Sequence, residues 1–206
     1  MGFYDTKDAG RMVVEIPPAG DDGSLNANIV TVWQSSLEDV GLLGVDKGKG
    51  IKLVILPPGY TGEVPESYEP LRSDTFTGYF LVRVNLPSHS DADVERAVAY
   101  GKKVKFYPLS AAANPPATKF TDVKNFEFDS TMKYEPSFFE ALDRIIQNEP
   151  WIERDRVMID QLRSLGIEKG KQFNPDAKTT AVLEQGIADA RQLLAARYDE
   201  GFPPFF

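Results

Sequence analysis

The chain has 206 residues, of which 42% are hydrophobic and 26% charged, a balance that is typical of globular proteins and excludes a disordered or collagen-like chain. Acidic residues outnumber basic ones by 31 to 23, and this net charge of −8, without any run of Lys and Arg, argues against nucleic-acid binding. Cysteine is absent and histidine occurs once, which excludes disulfides, thiol nucleophiles and multi-histidine metal sites within one chain.

No cofactor, metal ion or membrane span is therefore expected. The longest apolar runs, such as residues 51–58, are much shorter than the roughly 20 residues that cross a bilayer. The N-terminus carries no basic segment followed by an apolar stretch, so no signal peptide is visible.

The first half of the chain is predicted to be rich in β-strands. Met12–Ile16 is a β-branched run that ends at two prolines, and Ile51–Leu56 is apolar enough for a strand that is buried on both faces. Residues 28–36 and 103–109 are predicted to be extended. In a strand over residues 75–84, Tyr79, Leu81 and Arg83 share one face.

These short strands, separated by Gly and Pro turns, favour an antiparallel β-sandwich or jelly-roll-like sheet with no parallel pairs. One helix over residues 91–100 interrupts the pattern, because acidic residues lie in its first turn and Gly101 follows it. We assign residues 1–110 to this sandwich-like part. An extended, Pro-containing connector follows over residues 111–133, since Pro115 and Pro116 lack amide hydrogens.

Residues 134–206 are predicted to form a three-helix part that packs on the sheet, which makes the fold class α+β. The first helix begins near Pro136 and ends before Pro150, and the second covers residues 153–165, with Gly166 as its left-handed terminator. The third helix is predicted to have Asn174 as its cap and Pro175 in its first position.

The last residues are unusual, because Gly201-Phe202-Pro203-Pro204-Phe205-Phe206 places three phenylalanines at a terminus. Apolar side chains there would be wet unless they dock on this chain or on another. This ending favours a chain that continues into a further C-terminal module, or self-association into a homo-oligomer.

Motifs spread along the chain make it resemble the family called domain of unknown function 1254. They are Asp39-Val40-Gly41, Gly48-Lys49-Gly50, Leu56-Pro57-Pro58-Gly59-Tyr60, Leu71-Arg72-Ser73, Tyr107-Pro108-Leu109-Ser110, Asn114-Pro115-Pro116 and Leu165-Gly166-Ile167-Glu168-Lys169-Gly170. The resemblance implies a β-sandwich-like module with a helical appendage, followed in longer relatives by a domain of unknown function 1214. It also implies a periplasmic or extracellular location, whereas the absence of cysteine suits the cytoplasm equally well and leaves the compartment open. The resemblance implies no reaction, cofactor or catalytic residue.

Arg72 and Arg83 are the first candidates for ligand binding, because a guanidinium on a sheet face can hold a carboxylate or phosphate with two hydrogen bonds. The alternative is that each pairs with a structural carboxylate such as Glu38 or Asp39.

Asp39, Glu38 and Asp46 form the best acidic cluster for acid–base chemistry, such as that on a glycoside. Adjacent residues of a strand point to opposite faces, so Glu38 and Asp39 cannot act together as the acid and the base if this region is extended. The glycine-rich segment 46–50 lacks the spacing of a phosphate-binding loop and precedes a strand, so a hairpin loop is predicted.

Aromatic side chains offer a further candidate site, since flat rings with a polar edge stack on sugars and aromatic ligands. Those of the first half are Trp33, Tyr60, Tyr68, Tyr79 and Tyr107. The alternative is that these rings belong to the core.

Two classes of function follow. The first is a non-catalytic domain that binds a small molecule (a sugar, a small acid or an aromatic compound) or serves in assembly. The second is a hydrolase or lyase in which Asp39 acts as base and Arg72 or Arg83 stabilises charge, with a site completed by a missing C-terminal module. The six residues proposed to contact ligand are Trp33, Asp39, Tyr60, Arg72, Tyr79 and Arg83.

Overall fold

The computed structural model of the chain describes residues 1–127 and 131–201. It divides into two compact units, Met1–Val123 and Lys124–Phe206. The division predicted from the sequence, with boundaries at 110 and 133 and the helices covering the sheet, stays a prediction. The terminal segment Phe202–Phe206 lies outside the described residues.

The first unit contains eight described strands in two sheets. In chain order the strands are β1 (Gly2–Asp5), β2 (Met12–Ile16), β3 (Leu25–Thr31), β4 (Ser36–Gly41), β5 (Ile51–Leu56), β6 (Glu69–Arg72), β7 (Thr77–Val84) and β8 (Lys105–Pro108). The first sheet has the order β1-β7-β3-β4, and the second has the order β6-β5-β2-β8. The helices of this unit are α1 (Thr6–Ala9) and α2 (Asp91–Gly101).

The inner faces of the two sheets share one hydrophobic core. Ile29 and Phe80 of the first sheet belong to the same buried cluster as Val14, Leu53 and Leu71 of the second. Alternation along the strands places every second residue in this core, as in a β-sandwich. The predicted α+β class is confirmed, while the jelly-roll topology stays a prediction.

The strongest strand predictions are confirmed: Met12–Ile16 and Ile51–Leu56 are β2 and β5, and the helix predicted from residue 91 is α2. Strands β1 and β6 escaped prediction because they are short. Strand β6 also reads Glu-Pro-Leu-Arg, which shows no alternation of apolar and polar residues.

Two details of the predicted sheet are wrong. Residues 28–36 do not form one strand, because β3 ends at Thr31 and a turn, in which Gln34 has a φ of 60°, leads into β4. A parallel pair does occur, between β5 and β6. Parallel neighbours need a crossover of about a dozen residues, and segment 57–68 supplies one without a helix.

The second unit is helical, with α3 (Ser137–Asn148), α4 (Arg156–Leu162) and α5 (Ala177–Gly201). Short 3-10 helices, Glu153–Asp155 and Arg163–Leu165, flank α4, so the predicted count of three helices stays a prediction. Gly166 adopts the predicted left-handed conformation, with a φ of 85°.

The predicted cap of the last helix is wrong. The side chain of Asp176, not of Asn174, accepts a hydrogen bond from the amide of Thr179, at 2.7 Å. Pro175 therefore precedes the cap. Among the described residues, no helix has both the length and the apolar character that a membrane crossing requires.

Candidate ligand-binding groove

The outer face of the second sheet has an apolar half and a charged half. Val13, Val54 and Tyr107 belong to a second buried cluster, which Tyr60 and Tyr68 of the crossover segment 57–68 cover. Two residues further along β2, β5 and β8, the same face carries Glu15, Lys52 and Lys105. This charged half forms the floor of the groove described below.

Glu15 lies on β2 with a lysine beside it on each neighbouring strand. It is in register with Lys52 of β5 and with Lys105 of β8. The Lys52 Nζ atom is 3.6 Å from Glu15 Oε1, and the Lys105 Nζ atom is 3.3 Å from Oε2. The Glu15 side chain is 14% exposed, whereas the two lysine side chains are 50% and 57% exposed. One shielded carboxylate thus faces two accessible ammonium groups.

Two tyrosines complete the network around this carboxylate. The Tyr107 hydroxyl donates a hydrogen bond to Glu15 Oε1. The Tyr68 hydroxyl lies 3.4 Å from that of Tyr107. Because a phenol has one proton and Tyr107 gives its own to Glu15, the direction of the chain runs from Tyr68 through Tyr107 to Glu15.

These contacts change the acidity of both ends of the chain. Burial by itself would raise the pKa of Glu15, but the hydrogen bonds from Tyr107 and Lys105 and the charge of Lys52 outweigh it, and the pKa is lowered. Burial, followed by the hydrogen bond to Glu15, raises the pKa of Tyr107 far above its ordinary value. Glu15 is therefore ionised and Tyr107 protonated at neutral pH.

A groove of about 620 Å³ opens above this network, within the 300 to 1,000 Å³ that is typical of small-molecule sites. One wall is apolar and is formed by Pro17 and Pro18, because Ile16 and Ile51, which also line the groove, direct their side chains into the shared core. Tyr68 lines the groove as well, and the Lys52 ammonium lies 5.9 Å from the centre of its ring. Four lysines and three glutamates supply the charged lining.

Four of the six predicted ligand-binding residues lie on the first sheet. Tyr79 and Arg83 are on β7, Asp39 is on β4, and Trp33 is half-buried in the turn before β4. Asp39 accepts a hydrogen bond from Asn28 Nδ2, at 2.7 Å, on the face that points away from the core. None of these four residues lines the groove of Glu15.

The other two predicted residues, Tyr60 and Arg72, do contact each other. Arg72 donates from Nη1 to the backbone carbonyl of Tyr60 at 3.0 Å. Arg11, which sequence reasoning missed, donates to the Tyr60 hydroxyl at 2.8 Å and lies over its ring. Among the described residues, neither Arg72 nor Arg83 forms the ion pair with Glu38 or Asp39 that was the alternative interpretation.

Asp39 and Arg72 face opposite ways. Leu71 points into the shared core, so Arg72 points to the outer face of the second sheet. Asp39 lies on the outer face of the first sheet. The described residues therefore do not bring this carboxylate and this guanidinium into one cleft.

Asp46 has a structural role that its sequence context did not reveal. It is buried, and its carboxylate accepts hydrogen bonds from the amides of Gly41 at 2.6 Å and Gly50 at 3.0 Å. The prediction of a hairpin loop at residues 46–50 is wrong, because β4 and β5, which this segment connects, belong to different sheets. Asp46 ties the two ends of this connection together.

Sequence reasoning missed Glu15 and its lysines as site residues. The signal is present, since three strands of otherwise apolar or aromatic character each carry a single charged residue: Glu15 in β2, Lys52 in β5 and Lys105 in β8. A charge in a buried strand needs a partner, and the one glutamate is opposite in sign to the two lysines.

Comparisons with known proteins place the chain among proteins without an assigned activity. The sequence model of a family described as "Protein of unknown function (DUF1254)" matches residues 1–108. Among solved structures, the chain is similar to the VPA0106 protein from Vibrio parahaemolyticus, with a TM-score of 0.68 and 18% sequence identity. The match covers 95% of this chain and 48% of that one, so the chain spans about half the length of that protein. No curated protein sequence matches the chain.

Proposed function

Since the chain belongs to the DUF1254 family of proteins of unknown function, we propose a role from its own geometry: a non-catalytic module that binds a small molecule in the groove above Glu15. The observation that carries the proposal is the groove itself, in which an apolar wall faces a floor of polar groups. Ligand sites in proteins combine these two features.

The polar groups of the floor are held in place before any ligand arrives. Glu15 is fixed by Tyr107, Lys52 and Lys105, and Tyr107 is in turn fixed by Tyr68. Preorganised groups lose little conformational entropy when a ligand binds, which favours affinity.

The acidity of Glu15 favours binding over acid–base catalysis. A general base works best when its pKa lies near the working pH, and enzymes raise the pKa of a glutamate for that purpose. In this site the surrounding donors lower the pKa of Glu15, so the carboxylate is a weak base.

The test is a screen of thermal stability of the chain against sugars, small acids and aromatic compounds. A ligand that binds the folded state raises the melting temperature, and the rise grows with the logarithm of the ligand concentration relative to its Kd. Tyr68→Ala should abolish the stabilisation, while Tyr79→Ala on the first sheet should leave it intact. No stabilisation by any compound would contradict the proposal.

The same pair of variants tests the four predicted residues at the first sheet, which are Trp33, Asp39, Tyr79 and Arg83. If Tyr79→Ala abolishes the stabilisation and Tyr68→Ala does not, the ligand binds on the first sheet near Asp39 and Arg83 instead. Ligand binding by Trp33, Asp39, Tyr60, Arg72, Tyr79 and Arg83 stays a prediction until then.

The alternatives are a purely structural or assembly role and a hydrolase or lyase whose site needs a further module. The half-length match to VPA0106 supports including a longer stretch of the protein in the experiments. An activity or ligand found with the longer protein and absent from residues 1–206 would favour the second alternative, because pockets often form where domains meet.

A further inference from the structure

We propose that the ligand of the groove is a small organic acid with one carboxylate, bound through the ammonium groups of Lys49, Lys52 and Lys105. This inference rests on the proposed function, because it names the ligand class of the same groove.

Lysines gather at the groove although the unit that contains it is acidic. Among residues 1–123, acidic side chains outnumber basic ones by 16 to 12. Four of the eight lysines in that range nevertheless line the groove: Lys49, Lys52, Lys103 and Lys105. A local excess of cations on an acidic protein attracts anions to that place.

The floor of the groove has unused hydrogen-bond donors. Each ammonium carries three donors, whereas Lys52 and Lys105 share a single carboxylate, and one oxygen of that carboxylate already accepts from Tyr107. Glu15 therefore neutralises only one of the two flanking charges. A ligand carboxylate would satisfy the remaining donors with charge-assisted hydrogen bonds.

The other two lysines of the groove, Lys49 and Lys103, differ in whether an acidic side chain already pairs with them. Lys103 is engaged by Asp22, which lies outside the groove. Lys49 is exposed and forms no ion pair with any described residue. Lys49 is thus the cation that a ligand can reach without breaking an existing pair.

The remaining lining favours a single negative charge and an apolar body. Exposed Glu66 and Glu69 line the groove too, and the charge of Lys103 is already matched by Asp22, so the lining has no surplus of positive charge for a ligand with several negative charges. A polyanion such as a polyphosphate would meet repulsion from these glutamates. The wall that includes Pro17, Pro18 and the ring of Tyr68 suits a compact apolar or sugar-like body.

Matched pairs of probes test this inference by isothermal titration of the chain at low salt. Benzoate is compared with benzamide, and glucuronate with glucose, since each pair differs in the carboxylate. Inorganic phosphate and citrate carry more negative charge than a monocarboxylate, so they test whether the groove prefers a ligand with a single charge. The acid of at least one pair should bind about tenfold or more tightly than its neutral partner and than phosphate or citrate, and its affinity should fall as salt is added.

Three variants locate the site. Lys49→Gln should reduce the affinity for the acid about tenfold, as the loss of one charge-assisted hydrogen bond predicts, and it leaves the ion pairs of Glu15 intact. Lys52→Gln should reduce it at least as much. Lys119→Gln, an exposed lysine outside the groove, should leave it unchanged.

Several outcomes would overturn the inference. If the neutral members bind as tightly as the acids, or if phosphate or citrate binds more tightly, the ligand class is wrong while the proposed binding role stands. Acid binding that is unaffected by both Lys49→Gln and Lys52→Gln would place the acid elsewhere. If no acid binds but a neutral compound of the broader screen does, this inference fails alone, whereas no binding by any compound removes both proposals.

Discussion

The hydroxyl of Tyr107 donates a hydrogen bond to the carboxylate of Glu15 diagonally across the β2–β8 ladder. In that ladder Tyr107 is in register with Val13, and Glu15 is in register with Lys105. The tyrosine therefore links the apolar half of the outer face of the second sheet to its charged half. The first two predictions follow from this bond.

Replacing Tyr107 with Phe should destabilise the folded chain. The substitution keeps the ring in the apolar cluster but removes a donor from a shielded carboxylate, and a hydrogen bond to a charged group contributes about 1.5 to 3 kcal/mol. Urea denaturation measures the change in the free energy of unfolding. Tyr79→Phe, at a half-buried tyrosine of the first sheet, is the matched control, and an equal effect of both variants would contradict the role of the Tyr107 hydroxyl.

Acid should weaken the fold partly through Glu15. Its pKa in the folded state lies below the ordinary value of 4.5, so its contribution to stability is complete above that value and is lost as the pH falls through the folded-state pKa. The stability of the wild type should therefore exceed that of Glu15→Gln at about pH 6, and the difference should shrink towards about pH 3. Denaturant titrations at several pH values measure it, and a difference independent of pH would sink the prediction.

Asp46→Ala should destabilise the connection between β4 and β5. It removes two hydrogen bonds and leaves the amides of Gly41 and Gly50 without their acceptor, at a cost of about 1 to 3 kcal/mol for each buried amide that water cannot reach. Hydrogen exchange at these two amides reports the effect directly. Asp21→Ala, at an exposed aspartate, serves as control and should change neither exchange rate.

Gly41→Ala should also be destabilising, by a different mechanism. Gly41 has a φ of 105°, which L side chains rarely adopt, and a Cβ atom there would lie 2.0 Å from the carbonyl oxygen of Leu25. Strained backbone of this kind costs about 1 to 3 kcal/mol, and the steric clash adds to it. Thermal unfolding compares this variant with Gly59→Ala, where the φ is also positive, at 71°, but the Cβ meets no atom. A loss of stability at Gly41 no larger than that at Gly59 would exclude the clash.

In the second unit, Lys169→Met should loosen the end of α3. The Lys169 ammonium donates to the backbone carbonyls of Ile146 and Gln147, each at 3.1 Å, and to that of Glu149. Carbonyls at the end of a helix lack partners within the helix, and a cation there satisfies them. We expect a loss of about 1 to 3 kcal/mol in urea denaturation. Lys171→Met should cost less than about 1 kcal/mol, because its ion pair with Glu168 is exposed.

The Lys169 contacts also show how a sequence motif acquires meaning from the fold. In the sequence, residues 165–170 are a family-like motif with no evident role. In the structure, Gly166 ends the 3-10 turn after α4, Ile167 is buried, and Lys169 caps α3. The left-handed glycine was predictable from its place after a helical pattern, whereas the target of the lysine was not, because it lies about twenty residues earlier in the chain.

The candidate site likewise has features that the sequence predicts and others that it does not. The sequence shows one charge in each of three otherwise apolar or aromatic segments, but residue type alone favours Asp39, Arg72 and Arg83 as site residues. Asp39 and Arg72 proved to lie on opposite outer faces. The side of a sheet to which a residue belongs can be predicted within a strand, but not between strands whose pairing is unknown.

The sequence by itself determined the elements with strong local patterns: β2, β5, the alternation along β7, helix α2 and the left-handed Gly166. Local periodicity and backbone preferences decide these, and both act over a few neighbouring residues. Only the tertiary structure decided that β2 lies between β5 and β8, which places Glu15 between Lys52 and Lys105 and opens the groove above them. Strand order depends on how distant segments bury their apolar faces together, and no local pattern encodes that choice.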